Sequence, residues 1–316
     1  MGRGVDKGTV DEPKSECFVF FTLPIPIIFV SLHLETAKTR KTGNLITNRK
    51  SMGSPIVTLT TDWGYGDYYI GRVKGKLYSY IPNVQVVDIT HGIPPFQITR
   101  ATYVVKYGCL GFPPGTIHII DVCSSQTPEQ PFIVVEYGEQ YFICTDNGLP
   151  AAVFGTDNIK AVVIDKINQE SDSYTFAACD LFCKVAALLA NGATLEDIGF
   201  AADTLVKKTP LSPDFSQNPI EVQVVYVDGY GNCNLNITYD EFEQARKGRD
   251  FEVMVREVAV TKLFRSYVDA ERKARPRASL ILTVSSLGCL QLAINNGNAA
   301  QMFNLQYLST VRIKFL

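Results

Sequence analysis

Ile56-Val57-Thr58-Leu59-Thr60-Thr61-Asp62-Trp63-Gly64-Tyr65-Gly66-Asp67-Tyr68-Tyr69-Ile70-Gly71-Arg72-Val73-Lys74-Gly75 decides the fold class. Ile56–Thr61 is rich in β-branched side chains and reads as a strand. The polar, glycine-punctuated DWGYGD reads as a loop, and Tyr68 to Tyr80 reads as a helix stopped before Pro82. Strand, polar loop and helix in that order open an α/β unit. The alternation continues outward. Val84–Ile89 reads as a strand, THGIPP as a turn, and about Gln97 to Gly108 as a helix. Thr116–Val122, Phe132–Glu136, Tyr141–Thr145 and Ala161–Ile164 read as strands, and Phe182–Asn191 as a helix ended by Gly192. Residues 54–205 are therefore expected to form an α/β N-terminal domain, a central sheet covered by helices.

Thr204–Pro219 holds three prolines among polar residues and reads as a loop, with 206–219 as the linker. The texture then changes. Ile220–Val227, Asn232–Ile237, Phe251–Val255, Ser279–Ser285, Cys289–Ile294 and Val311–Phe315 read as strands with only short helical pieces between them. Residues 220–316 are expected to form a smaller all-β, barrel-like C-terminal domain.

Composition excludes several function classes. The chain has 316 residues, 46% of them hydrophobic, so it has ample material for a packed core and two domains fit its length. A net charge of -2 removes the electrostatic argument for a nucleic-acid partner. The basic stretch 246–277 also carries Asp250, Glu252, Glu257, Asp269 and Glu271, and reads as a solvated face. Eight cysteines include no CxxC pair, and the three histidines (His33, His91, His118) lie far from Cys179 and Cys183. Buried thiols, no metal site and a cytoplasmic location follow. The apolar run 18–32 is fifteen residues with two prolines, too short to span a membrane, and no membrane partner is expected. It follows a mixed-charge stretch unlike the basic start of a signal peptide. Met52 is read as the working start and residues 1–53 as an N-terminal extension outside the fold.

In α/β sheets ligands gather at the carboxyl ends of strands. Polar clusters fall there: Thr60-Thr61-Asp62 with the loop to Asp67, Asp88-Ile89-Thr90-His91, Asp121, and Thr145-Asp146-Asn147-Gly148. The β domain adds Asp228-Gly229-Tyr230-Gly231-Asn232, Ser286-Leu287-Gly288 and Asn295-Asn296-Gly297-Asn298. Taken singly, each is ordinary turn or cap chemistry. No GxGxxG, P-loop or GxSxG occurs.

Taken in order, IVTLTTDWGYGDYYIGRVKG, VVDITHGIPPF, FPPGTIHIIDV, YFICTDNGL, VDGYGNCNLNI and SLGCLQLAINNGNAA resemble one family over about residues 56–316. It is the S-adenosyl-L-methionine (SAM) hydroxide adenosyltransferases, SAM hydrolases related to the SAM-dependent fluorinases and chlorinases. The resemblance implies a homotrimer with SAM between the N-terminal domain of one subunit and the C-terminal domain of the next. SAM is then substrate or ligand, and no cofactor is called for. The resemblance implies that Asp62 grips the ribose hydroxyls, with Asp67 a second aspartate of the same loop. Phe96 lines the nucleoside pocket and Tyr230 lies beside adenine. Asp228 and Asn232 hold the amino-acid end, and Ser286 contacts the methionine carboxylate. Asn295 and Asn296 read the adenine edge.

The implied reaction is displacement at ribose C5′ by water or hydroxide, giving adenosine and L-methionine. The sulfonium leaves readily, so the difficulty lies in the nucleophile, which the family's hydrolases handle with an Asp–Arg–His set. Asp121 holds the aspartate position. Pro128 or Glu129 stands near the arginine position and Ala177 at the histidine position. Realignment restores neither, because no arginine lies between Arg100 and Arg246 and no histidine follows His118. Halide transfer is disfavoured, since a carboxylate at position 121 repels a halide. His91 is read as a structural hydrogen-bonder of its turn. Three readings result: a slow or altered SAM hydrolase with Asp121 as the surviving catalytic residue, a SAM- or adenosine-binding module without turnover, and a ligand-free structural trimer. The polar pocket residues argue against the last, because they cost stability if buried without partners.

Overall fold

A computed structural model of the chain describes residues 1, 53–157, 159–168, 175–207, 212–273 and 279–316. The apolar run 18–32 and the start read at Met52 lie outside the described residues, as do 208–211 of the linker.

The N-terminal sheet starts from β1 (Ile56–Thr61), whose neighbours β2 (Gln85–Thr90) and β3 (Ile117–Asp121) run parallel to it. α1 (Tyr69–Tyr80) and α2 (Ile98–Gly108) make the first two crossovers. β4 (Phe132–Tyr137) and β5 (Gln140–Thr145) follow, then α3 (Leu149–Phe154) and β6 (Lys160–Ile164). A π-helical turn, Ala178–Phe182, feeds α4 (Cys183–Ala190), which is followed by α5 (Leu195–Ile198) and β7 (Gly199–Ala201). The strand order is β2-β1-β3-β5-β4-β6-β7, parallel through β5 and antiparallel beyond it.

β1 is buried on both faces, although apolar and hydroxyl side chains alternate along Val57–Thr60. Val57 and Leu59 join the core under α1 and α4, with Val73, Leu77, Val185 and Ala186. Thr58 and Thr60 point the other way. Thr58 Oγ1 lies 2.7 Å from His118 Nδ1, and Thr60 Oγ1 lies 3.7 Å from Cys109 Sγ. Buried hydroxyls are tolerated on that face because each finds a partner.

The C-terminal sheet is built from β8 (Ile220–Val227), β9 (Cys233–Thr238), β10 (Phe251–Val255), β11 (Val258–Val260), β12 (Leu263–Phe264), β13 (Leu280–Val284), β14 (Cys289–Ile294) and β15 (Thr310–Phe315). Its order is β11-β10-β15-β8-β9-β14-β13-β12, a strand-rich curled sheet. The helical pieces are short: α6 (Tyr239–Arg246), α7 (Tyr267–Lys273) and α8 (Ala299–Met302). Thr238 and Glu241 form a capping box that starts α6 directly from the end of β9.

Residues 51–316 make one compact unit. α2 joins the two sheets: Tyr103 stacks on Tyr226 at 6.3 Å, Arg100 lies over the Tyr226 ring, and Tyr107 donates to the Leu287 carbonyl at 3.0 Å. Among the described residues no helix is long and apolar enough to cross a membrane.

Candidate active site

Register brings the carboxyl ends of β1, β2 and β3 side by side. Thr61 pairs with Asp121 and Thr60 with Thr90, so the polar residues that follow Thr61 and Thr90 emerge beside Asp121. The loop after β1 is tied across this edge by Gly64 N donating to the His91 carbonyl at 2.8 Å. Asp62 and Asp121, 59 positions apart in the chain, thus share one cluster because parallel strands end at one edge.

Asp62 organises the cluster through its backbone neighbours. Its Oδ2 accepts from Phe96 N at 2.9 Å and from Cys123 N at 3.3 Å. Both donors lie in left-handed backbone, Phe96 at φ +65° and Cys123 at φ +52°. Such conformations are strained for non-glycine residues and persist where the surroundings hold them, here through a charge-assisted hydrogen bond to each. Asn147 supports the same loop from behind. Its Nδ2 donates to the Val122 and Cys123 carbonyls at 3.0 and 3.2 Å, while its Oδ1 accepts from Leu149 N. The Phe96 ring is 75% exposed.

Asp121 is only 6% exposed, and Oδ2 accepts a hydrogen bond of 2.9 Å from Trp63 Nε1. Burial lifts its carboxyl from the ordinary carboxylate range to about 6. The Trp63 N–H pulls against that lift, and the nearby Asp62 charge adds to it. The hydrogen bond described to the carboxylate comes from a neutral donor, Trp63, and the side chain at the resemblance's histidine position, Ala177, is buried in the core beside Phe176.

His91 sits fully buried behind this edge. Its Nδ1 is 2.8 Å from Thr61 Oγ1, its Nε2 is 3.2 Å from Asp88 Oδ1, and its ring stacks on Trp63. Burial holds its pKa below the usual histidine value despite Asp88. These contacts tie His91 to the strand ends and to Trp63. Asp67 stands at the exposed end of the loop, where Oδ1 accepts from Tyr68 N at 2.8 Å; no described hydrogen bond joins it to Asp62 or Asp121.

The other candidates form a second set on the C-terminal sheet. Asp228 closes the β8–β9 turn: Oδ1 accepts from Tyr230 N and Asn232 N, and Oδ2 from Asn232 Nδ2, all at 2.9 Å. This pairing keeps Asn232 satisfied at 8% exposure. Gly231 has φ +80°, and a Cβ there would lie 2.1 Å from Asn298 Oδ1. That same Asn298 oxygen accepts from Gln301 N at 2.7 Å and starts α8. Tyr230 is 81% exposed. Ser286 lies exposed in the β13–β14 turn, and Asn295 and Asn296 follow β14 half-buried and exposed, with Asn296 at φ +54°.

Among the described residues no hydrogen bond or ion pair joins the Asp62–Asp121 set to the Asp228–Asn232 set. A cavity of about 480 Å³ follows α2 from Phe96 past Tyr103 and Lys106 to Cys289 and Tyr307, and neither Asp62 nor Asp121 lines it. Sequence reading missed Trp63 as a donor, the backbone role of Phe96, and the Gly231–Asn298 contact. The bulky aromatic directly after Asp62 was the visible signal for the first.

A model of the SAM hydroxide adenosyltransferase N-terminal domain matches residues 57–199, and a model of that family's C-terminal domain matches 222–312. An (R)-S-adenosyl-L-methionine hydrolase of Methanocaldococcus jannaschii is 28% identical over 276 residues, spanning 82% of this chain and 95% of its own. One of Salinispora tropica is 28% identical over 258 residues, spanning 80% and 95%. Among solved structures, an uncharacterized conserved protein from Thermotoga maritima superposes with a TM-score of 0.70 at 27% identity, covering 82% of this chain and 99% of that one.

Proposed function

Because the chain belongs to the SAM hydroxide adenosyltransferase family, we propose that it hydrolyses SAM to adenosine and L-methionine with Asp121 as the base. A water oxygen attacks C5′ of the ribose. The C5′–S bond breaks with its electron pair passing to sulfur, and the sulfonium becomes the neutral thioether of methionine. The water proton passes to Asp121. The observation that carries this reading is the burial of Asp121 beside Asp62, whose backbone N–H donates to the Asp121 carbonyl at 3.4 Å, with the Asp121 pKa raised to about 6. A carboxylate of ordinary acidity is a weak base, whereas one near 6 is ionised at neutral pH yet holds a proton better. The rate is slower than an intact Asp–Arg–His set would give, since parts of a catalytic unit are missing.

Asp62 keeps Oδ1 for the ribose hydroxyls while Oδ2 holds its loop. Asp67 supplies a second carboxylate at that loop. Phe96 packs on the nucleoside. Asp228 pairs the substrate ammonium beside Asn232, Ser286 meets the methionine carboxylate, and Tyr230, Asn295 and Asn296 frame adenine. The two sets belong to one site if a second copy supplies the C-terminal half, and the exposed rings of Phe96 and Tyr230 favour that homotrimer. SAM is the substrate and no cofactor is needed. The seven described cysteines are all free, which favours the cytoplasm.

The second reading, a SAM- or adenosine-binding module without turnover, is favoured by the buried Ala177 and by the neutral Trp63 N–H as the described donor to Asp121. Incubating the full chain with SAM and following adenosine by chromatography separates the two. Adenosine formation lost in Asp121→Asn supports hydrolysis. Calorimetric SAM binding without adenosine supports the module.

A further inference from the structure

Trp63 is the only tryptophan of the chain, and its ring is fixed on three sides. It stacks on His91 with centroids 5.8 Å apart and planes 15° apart. Phe176 meets it edge-on at 5.3 Å, and Tyr69 lies tilted against it at 6.2 Å. His91 is itself pinned between Thr61 and Asp88, and Lys74 Nζ lies 2.5 Å from Asp88 Oδ2. A ring with this little freedom aims its single N–H in one direction, at Asp121 Oδ2, 2.9 Å away. Phe176, which packs edge-on against Trp63, directly precedes Ala177, the residue at the resemblance's histidine position.

We propose that Trp63 is the positioning residue of Asp121: its indole N–H holds Oδ2, leaving Oδ1 as the oxygen that takes the water proton, in the place of the absent cationic partners. The inference rests on the hydrolysis reading for the proton step, and on geometry alone for the indole–carboxylate coupling. A hydrogen bond to the charged form favours that form. Trp63 therefore keeps the buried carboxylate ionised nearer to neutral pH than burial alone would allow.

The indole reports its own partner. The titratable groups facing the pair are Asp62 beside Asp121, and His91 and Tyr69 against the ring. Asp88 and Lys74 lie behind His91, and Arg72 lies over Phe176. Selectively excited indole emission is expected to show a transition near pH 6 in the wild type that is absent in Asp121→Asn. Identical titration of both proteins would assign the transition to His91 or Asp88 and overturn the proposal. Trp63→Phe keeps the packing and removes the N–H. It is expected to lower kcat roughly 10- to 100-fold with KM for SAM within about 3-fold, and to move the acidic inflection of the kcat profile upward. An unchanged kcat and inflection in a variant with wild-type circular dichroism would overturn it. A titrating indole in a protein that binds SAM without releasing adenosine would uphold the coupling and overturn the hydrolysis reading, so the two failures separate.

Discussion

Asp121→Asn is expected to stabilise the protein at neutral pH while abolishing turnover. An unfolded aspartate titrates near 3.8 and Asp121 in the folded chain at about 6. Between those values the folded state binds more protons than the unfolded one, so stability falls as pH rises from about 4 to about 6. Above 6 the full penalty of an ionised buried carboxylate is present. Two pKa units correspond to about 3 kcal/mol. Asparagine keeps an oxygen for the Trp63 N–H and carries no charge, so most of that penalty is recovered. For a folded unit of this size, about 3 kcal/mol raises Tm by roughly 5–10 °C. Denaturant unfolding from pH 4 to 8 checks this. The variant is expected to be more stable than wild type at pH 7.5, with the difference vanishing toward pH 4. A variant less stable at pH 7.5 by more than about 1 kcal/mol would refute the reasoning, because the carboxylate would then have to be held by favourable charge partners.

Four further outcomes follow from the same geometry. Adenosine formation by the wild type should rise with pH through an inflection near 6 and level off above it, read from kcat/KM profiles. Asp62→Ala leaves the Phe96 and Cys123 N–H groups without their acceptor, and should cost about 1–3 kcal/mol by denaturation and weaken SAM at least about 10-fold by calorimetry. Asp228→Asn removes the charge proposed to meet the substrate ammonium. It should weaken SAM roughly 10- to 100-fold but adenosine less than about 3-fold, and equal losses would refute that assignment. Gly231→Ala forces a Cβ onto Asn298 in left-handed backbone and should cost about 2 kcal/mol or more, with loss of SAM binding.

Legibility in the sequence depended on whether the cause was local. β1 and β3 are short, β-branched runs bounded by turn residues, and α/β topology sets their carboxyl ends side by side, so the register that puts Asp121 opposite Thr61, next to Asp62, is legible in the sequence. The helix expected from Phe182 begins earlier, as a π-helical turn at Ala178. Asp180 in that turn is buried against Arg72 and Lys76 of α1, at 3.8 and 3.5 Å, a contact spanning more than 100 positions. β7, β11 and β12 have three residues or fewer and carry no periodicity to read. The role of Trp63 was hidden for the same reason as that of Asp180: its partner lies 58 residues away. The sequence points to the ring of Phe96, whereas the contact that holds Asp62 is its backbone N–H, which no side-chain identity reveals.

The most direct test of the account follows adenosine and L-methionine released from SAM by the full chain, beside Asp121→Asn at matched SAM occupancy. The account predicts stoichiometric formation of both products by the wild type and none above the uncatalysed rate by the variant. Equal product from both proteins, or SAM bound and recovered intact from the wild type, would contradict it.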